Sequence, residues 1–214
     1  MRLYDYYRSS AAYRVRIVLE LKGLDAERLS VDLRAGEQVS DAYRSINAQG
    51  LVPTLVTPSG VLGQSLAILE YLDELEPEPP LLPARAFDRA RMRSLAQTIA
   101  CDVHPLNNLR VLNYLRGPLG QDDDAVQDWM GHWIRRGFEA LERQAPETGC
   151  FGGAGPMLAD VVLVPQMYNA WRFSVDLDAF PRLVALDARL RALPAFERAT
   201  PEATVAHDRA AAAS

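Results

Sequence analysis

Along the first eighty residues the apolar positions change period several times. "RLYDYY" (residues 2–7) predicts a short strand. From Ala11 the pattern turns helical, with Ala11, Ala12, Val15, Val18 and Leu19 at three-to-four spacing, and Gly23 follows as a stop. "ERLSVDL" predicts a second strand and "SDAYRSI" a short helix. A strand over residues 54–56, a turn at 58–60 and a brief strand lead to Ser65. Ser65 can cap a helix with apolar positions at Leu66, Ile68, Leu69, Leu72 and Leu75. The order βαβαββα predicts a thioredoxin-like layer, a mixed four-stranded sheet with helices on its faces.

The pattern then breaks. "EPEPPLLPARA" holds four prolines in eleven residues, Pro77, Pro79, Pro80 and Pro83, and reads as a linker. Beyond Phe87 the periodicity is helical, with breaks near 117–120 and 146–156. Pro105 interrupts one helical run and should kink it. The tail over 203–214 is expected to fray. The organisation expected is an α/β layer over 1–76, a linker over 77–86 and an all-α domain over 87–214.

Composition narrows the function classes. The chain has 214 residues, 49% hydrophobic and 24% charged, with a net charge of −5. A nucleic-acid binder would show a basic surplus, so no such partner is expected. No stretch approaches the roughly 18 apolar residues of a membrane span, and "MRLYDYYRSS" has no signal-peptide core. Cys101 and Cys150 form no CxxC and join no His/Cys cluster, which argues against a disulfide framework and a metal site. The expectation is a soluble, cytoplasmic protein with no membrane partner.

Five stretches together carry a resemblance. "SSAAYRVRI" resembles the N-terminal motif of zeta-class glutathione transferases. "LVPTL" followed by "QSLAILEYLDE" resembles that family's glutathione-binding segment. "CDVHPLNNLRVLNYL" and "LADVVLVPQMYNAWRFSVDL" resemble second-domain signatures of maleylacetoacetate and maleylpyruvate isomerases. Each is weak alone; their order and distances are specific, and they span essentially the whole chain. Two positions depart from the pattern. Ala11 stands where zeta enzymes often carry a cysteine. Met157 stands where Ser or Thr commonly caps a core helix, leaving Asp160 with half of a capping arrangement.

The resemblance implies the cytosolic glutathione transferase fold, glutathione as cofactor, a homodimer, and cis–trans isomerisation of a small dicarboxylate. A thiolate added to an alkene carbon makes a rotatable single bond, and its loss restores the double bond as trans. Ser9 and Ser10 begin the first helix, where hydroxyls and unpaired N–H groups favour a thiolate. The same serines could simply cap that helix. For glutathione binding the resemblance points to Val52 and Pro53, with the proline cis, and to Gln64 and Ser65 at a helix start that suits a carboxylate. Gln38 and Gln49 are further candidates.

Arg8, Arg110 and Arg172 are candidates for substrate carboxylates and for charge developing on addition, since a guanidinium pairs bidentately with carboxylate. Arg14 and Arg16 read instead as structural, paired with acids. His104 and Asn108, one turn apart, could share a face as glutathione or substrate contacts. Cys101, inside an apolar helical stretch, reads as a buried small hydrophobe rather than a nucleophile. Two rival readings remain open at this point. One is a general glutathione transferase that conjugates or dehalogenates small electrophiles. The other is a glutathione-binding module without catalysis.

Overall fold

The computed structural model describes residues 1–212, with side chains through Ala206. Contacts divide the chain into two units, one of Met1–Leu81 with Ala192–Ser214, the other of Leu82–Arg191.

In the first unit four strands form one sheet: β1 (Arg2–Asp5), β2 (Glu27–Ser30), β3 (Thr54–Thr57) and β4 (Gly60–Leu62). Their spatial order is β2-β1-β3-β4. β1 runs parallel to β2 and antiparallel to β3, which pairs antiparallel with β4. Helices α1 (Ser10–Lys22) and α2 (Asp41–Arg44) lie between strands, and α3 (Ser65–Leu75) follows β4. This is the mixed sheet that the apolar pattern predicts. Leu3, Leu55, Val15, Val18, Ile68, Leu69 and Leu72 are fully buried in its core. Removing such side chains from water contributes about 1.5–3 kcal/mol each.

α1 buries charge as well as hydrocarbon. Arg16 Nη1 lies 2.8 Å from both carboxylate oxygens of Asp5, with both side chains nearly inaccessible. Lys22 Nζ donates to Asp73 Oδ1 and to the Pro79 carbonyl, each at 2.6 Å. The expected pairing with an acid therefore holds for Arg16. The fully buried Arg14 donates from Nη1 to the Ser65 hydroxyl at 3.1 Å.

Two boundaries differ from expectation. The proline-rich segment is tied to the first unit as far as Leu81, whose N–H donates to Asp73 Oδ1 at 2.9 Å. The last two helices, α9 (Pro194–Arg198) and α10 (Pro201–Ala212), group with the first unit rather than with the other helices. Arg16 Nε donates to the Ala199 carbonyl at 3.0 Å, and Tyr13 Oη to that of Phe196 at 3.5 Å. The expected fraying from Ala203 is not met: α10 runs to Ala212, and Thr204 is buried. Residues 213–214 lie outside the described residues.

The second unit is helical among the described residues. It contains α4 (Ala86–Gln97), α5 (Leu109–Arg116), α6 (Asp123–Glu142), α7 (Leu158–Arg172) and α8 (Pro181–Arg191). α7 is its centre: every residue from Leu158 to Met167 is buried, as expected of a helix that is apolar nearly all round. Asp160 caps it from within. Its Oδ2 accepts Met157 N–H at 2.9 Å and its Oδ1 accepts Phe151 N–H at 3.0 Å. Half of the usual reciprocal cap thus also anchors the loop before the helix. Burial lifts the Asp160 carboxyl to about 6, outweighing the backbone donors that act the other way.

Candidate functional site

In the first unit, the chain leaves β1 through a tight turn closed by Ser9 N–H to the Tyr6 carbonyl at 2.8 Å. Ser9 is extended (φ −70°, ψ 116°) and its Oγ accepts the Ala12 N–H at 3.2 Å. It is the N-cap of α1. An N-cap oxygen that accepts from the backbone still carries its own hydrogen to donate. The N–H groups of Ser10 and Ala11 have no intrahelical acceptor by the geometry of a first turn. Ser9 is half-buried, whereas Ser10 is only 7% exposed. Arg8 lies over the Tyr7 ring at 5.1 Å.

Val52-Pro53 is cis, as the resemblance implies. A buried polar knot holds the loop in front of it. Tyr43 Oη donates to the Leu51 carbonyl at 2.7 Å and lies 2.8 Å from Thr54 Oγ1. Asn47 Nδ2 donates to the same two oxygens, at 3.0 and 2.8 Å. Tyr43, Asn47 and Thr54 were not candidates from the sequence; no local pattern marks a knot built from three separate segments.

Gln49 and Gln64 meet side chain to side chain, Nε2 of Gln64 donating to Oε1 of Gln49 at 3.0 Å. Gln38 joins through its backbone. Gly50 sits at φ +61°, and a Cβ there would lie 2.8 Å from the Gln38 carbonyl oxygen, so only glycine permits the approach. Gln38 Oε1 is buried and makes no hydrogen bond among the described residues.

The expected cap at Ser65 is corrected. Gln64 is the N-cap of α3, at φ 64° and ψ 111°, and its side chain makes no capping bond. Ser65 is the first helical residue and accepts from Arg14. A non-glycine residue at positive φ is strained and persists where its surroundings enforce it. α3 has no acidic residue in its first turn, so its positive end is left for an outside acceptor.

In the second unit the helix after α4 changes type. Residues Thr98–Val103 are π-helical, His104–Asn107 form a 3-10 turn, and Asn108 is extended. The kink expected at Pro105 is thus spread over ten residues. Trp129 Nε1 donates to the Leu106 carbonyl at 2.8 Å and Asn107 Nδ2 to that of Val103 at 3.0 Å, fixing the turn. Asn108 caps α5, its Oδ1 accepting Arg110 N–H at 3.1 Å. His104 and Asn108 therefore do not share a helical face, because the chain has left the helix between them. Cys101 is exposed rather than buried, since the wider π turn rotates the side chains out of α-helical register.

Arg110 and Arg172 are both exposed, and the fold ties their neighbours together. Val111 and Phe173 pack on one cluster of Leu112, Leu115, Val126 and Met130. The Arg172 guanidinium stacks on the Phe173 ring at 4.7 Å, and Gln127 Nε2 donates to the Phe173 carbonyl. Among the described residues no cluster of His, Cys, Asp and Glu could hold a metal ion, and no helix is long and apolar enough to cross a membrane.

Comparison with known proteins places this geometry. Residues 3–80 match the family "Glutathione S-transferase, N-terminal domain". The chain is 49% identical over 205 residues to the maleylacetoacetate isomerase of Pseudomonas aeruginosa, covering 94% of this chain and 96% of the other. A holo structure of maleyl pyruvate isomerase, a bacterial zeta-class glutathione S-transferase, superimposes with a TM-score of 0.91 at 47% identity, covering 94% and 97% of the two chains. Maleylacetoacetate isomerase from Anaeromyxobacter dehalogenans, with dicarboxyethyl glutathione and citrate bound in its active site, gives a TM-score of 0.83 at 42% identity, covering 94% of each chain. The chain therefore has the glutathione transferase fold and belongs to the zeta-class glutathione transferases, in the family of maleylacetoacetate and maleylpyruvate isomerases.

Proposed function

We propose that the protein is a glutathione-dependent isomerase that converts maleylpyruvate or maleylacetoacetate to the fumaryl form in the breakdown of aromatic compounds. The carrying observation is Ser9 at the start of α1, half-exposed, with a hydroxyl hydrogen and unpaired first-turn N–H groups beside it. Glutathione, when bound, supplies a nucleophilic thiolate that is regenerated at the end of the cycle.

The chain's own residues do the rest. Ser9 donates to the sulfur and, with the α1 N-terminus, stabilises its negative charge. Ser10 is the lesser partner, because its hydroxyl is buried. Ser65 and the uncapped start of α3 take the γ-glutamyl carboxylate. Gln64, held by Gln49, orients the same unit, Val52 offers its backbone beside Pro53, and Gln38 lines the neighbouring loop. In the second unit Arg110 and Arg172 hold substrate carboxylates. They also offset the charge that develops on the substrate carbonyl oxygen; Arg8, in the first unit, is a further candidate for a carboxylate. His104 and Asn108, in the same unit as Arg110 and Arg172, are further candidate ligand contacts. Asn108 also caps α5 through its Oδ1.

The isomerase of Anaeromyxobacter dehalogenans binds a glutathione that bears a two-carboxylate ethyl group, which supports a dicarboxylate substrate. We also infer a cytoplasmic homodimer, which sedimentation at micromolar concentration tests directly. The mechanism is tested by adding glutathione to the protein near neutral pH. Thiolate absorbance should appear, and it should be absent with Ser9→Ala.

A further inference from the structure

We propose that Arg14 is a positioning residue for glutathione that acts through Ser65. The inference rests on reading Ser65 as a contact to the γ-glutamyl carboxylate. Arg14 is among the largest fully buried side chains of the described residues, 1% exposed, and its Nη1 lies 3.1 Å from Ser65 Oγ. A guanidinium only donates, so Ser65 Oγ accepts. The hydroxyl's single hydrogen is then left for an acceptor beyond the helix end. Without that donor, the hydroxyl could turn its hydrogen inward and present only lone pairs, which repel a carboxylate.

The second effect is electrostatic. Arg14 places a positive charge one hydroxyl behind the first residue of α3, in a poorly screened interior. The α3 N-terminus contributes partial positive charge of its own and has no acidic side chain in its first turn to offset it. Both effects act on the ligand's carboxylate and neither touches the reacting atoms. Arg14 therefore governs glutathione affinity and leaves the chemical step to Ser9. α1 thus serves both ends of the cofactor, Ser9 at its cap facing the sulfur and Arg14, five residues on, reaching Ser65.

The test is a double-mutant cycle on the full chain with Arg14→Gln, Ser65→Ala and the pair, reading the KM for glutathione separately from kcat at saturating glutathione. The expected result is a roughly tenfold rise in KM for either single variant with kcat within about twofold. The double variant should be no more than about twofold worse than Ser65→Ala. If Arg14→Gln does not fold, Arg14→Lys carries the test. It keeps the charge but not the fork, and should raise KM about threefold in the natural background and not at all beside Ser65→Ala. An unchanged KM in the Arg14 variants, or effects that multiply in the double variant, would overturn the proposal. If Ser65→Ala itself binds glutathione normally, the reading of Ser65 fails first.

Discussion

Ser9 Oγ accepts the backbone N–H of Ala12 at 3.2 Å, so the serine that the reaction needs is also the cap of α1. The two roles separate by substitution. Ser9→Ala loses the cap and the sulfur donor together. It should cost about 1 kcal/mol of stability and at least a hundredfold in kcat/KM, on the scale of a lost transition-state donor. Ser9→Asp keeps a capping oxygen but sets a negative charge against a thiolate. It should melt like the natural protein and show no thiolate absorbance with glutathione. An active Ser9→Asp variant would show that the serine only caps.

Arg110 and Arg172 are exposed, and neither is needed to fill a core. Arg110→Ala should leave the urea midpoint unchanged and lower kcat/KM for a maleyl dicarboxylate by about 10–100-fold, the worth of one charge-assisted contact. Conjugation of a neutral electrophile should fall by less than about threefold. Equal loss on both substrates would favour a general transferase.

The Asp5–Arg16 pair predicts a large structural effect. Arg16 holds Asp5, the Tyr7 carbonyl in the turn before Ser9, and the Ala199 carbonyl ahead of α10. Arg16→Ala leaves a buried carboxylate unpaired and should cost about 3–5 kcal/mol by denaturant unfolding. Replacing both residues, as Arg16→Met with Asp5→Asn, should recover part of that loss.

Asp160 gives the protein a defined pH signature. Its folded carboxyl sits at about 6 and its ordinary value is 3.8. Between these values the folded chain keeps a proton that the unfolded chain releases, so this group's contribution falls as pH rises through the window. The stability of the natural protein relative to Asp160→Asn should therefore decline between about pH 4 and pH 6. Asp160→Ala, which strips two partly buried N–H groups of their acceptor, should cost about 2 kcal/mol at any pH in that range.

Much of the first unit was readable from the chain because its signals are local. Ala12, Val15 and Val18 mark one buried helix side, and the turn at 58–60 separates β3 from β4. Ser9 and Ser10 were placed at a helix start because capping is a short-range property. The cis state of Val52-Pro53 came from resemblance, since no neighbouring residue encodes it. What the pattern could not carry depends on distant partners. Arg14 looks like any helical arginine until Ser65, fifty-one positions on, is seen beside it. Cys101 looks buried on an α-helical wheel, and only the π-helical stretch turns it outward. Gln64 gives no local hint of its positive φ, which follows from how α3 enters against the Gln49 loop.

The central claim is that the cofactor's sulfur performs the isomerisation and is returned. Purified protein should be given maleylpyruvate and, separately, maleylacetoacetate, with and without glutathione, while the fumaryl product and free thiol are both followed. The account predicts fumaryl product from at least one substrate only when glutathione is present, over many turnovers, with the thiol concentration unchanged. Isomerisation without glutathione, or one thiol consumed for each product formed, would contradict it.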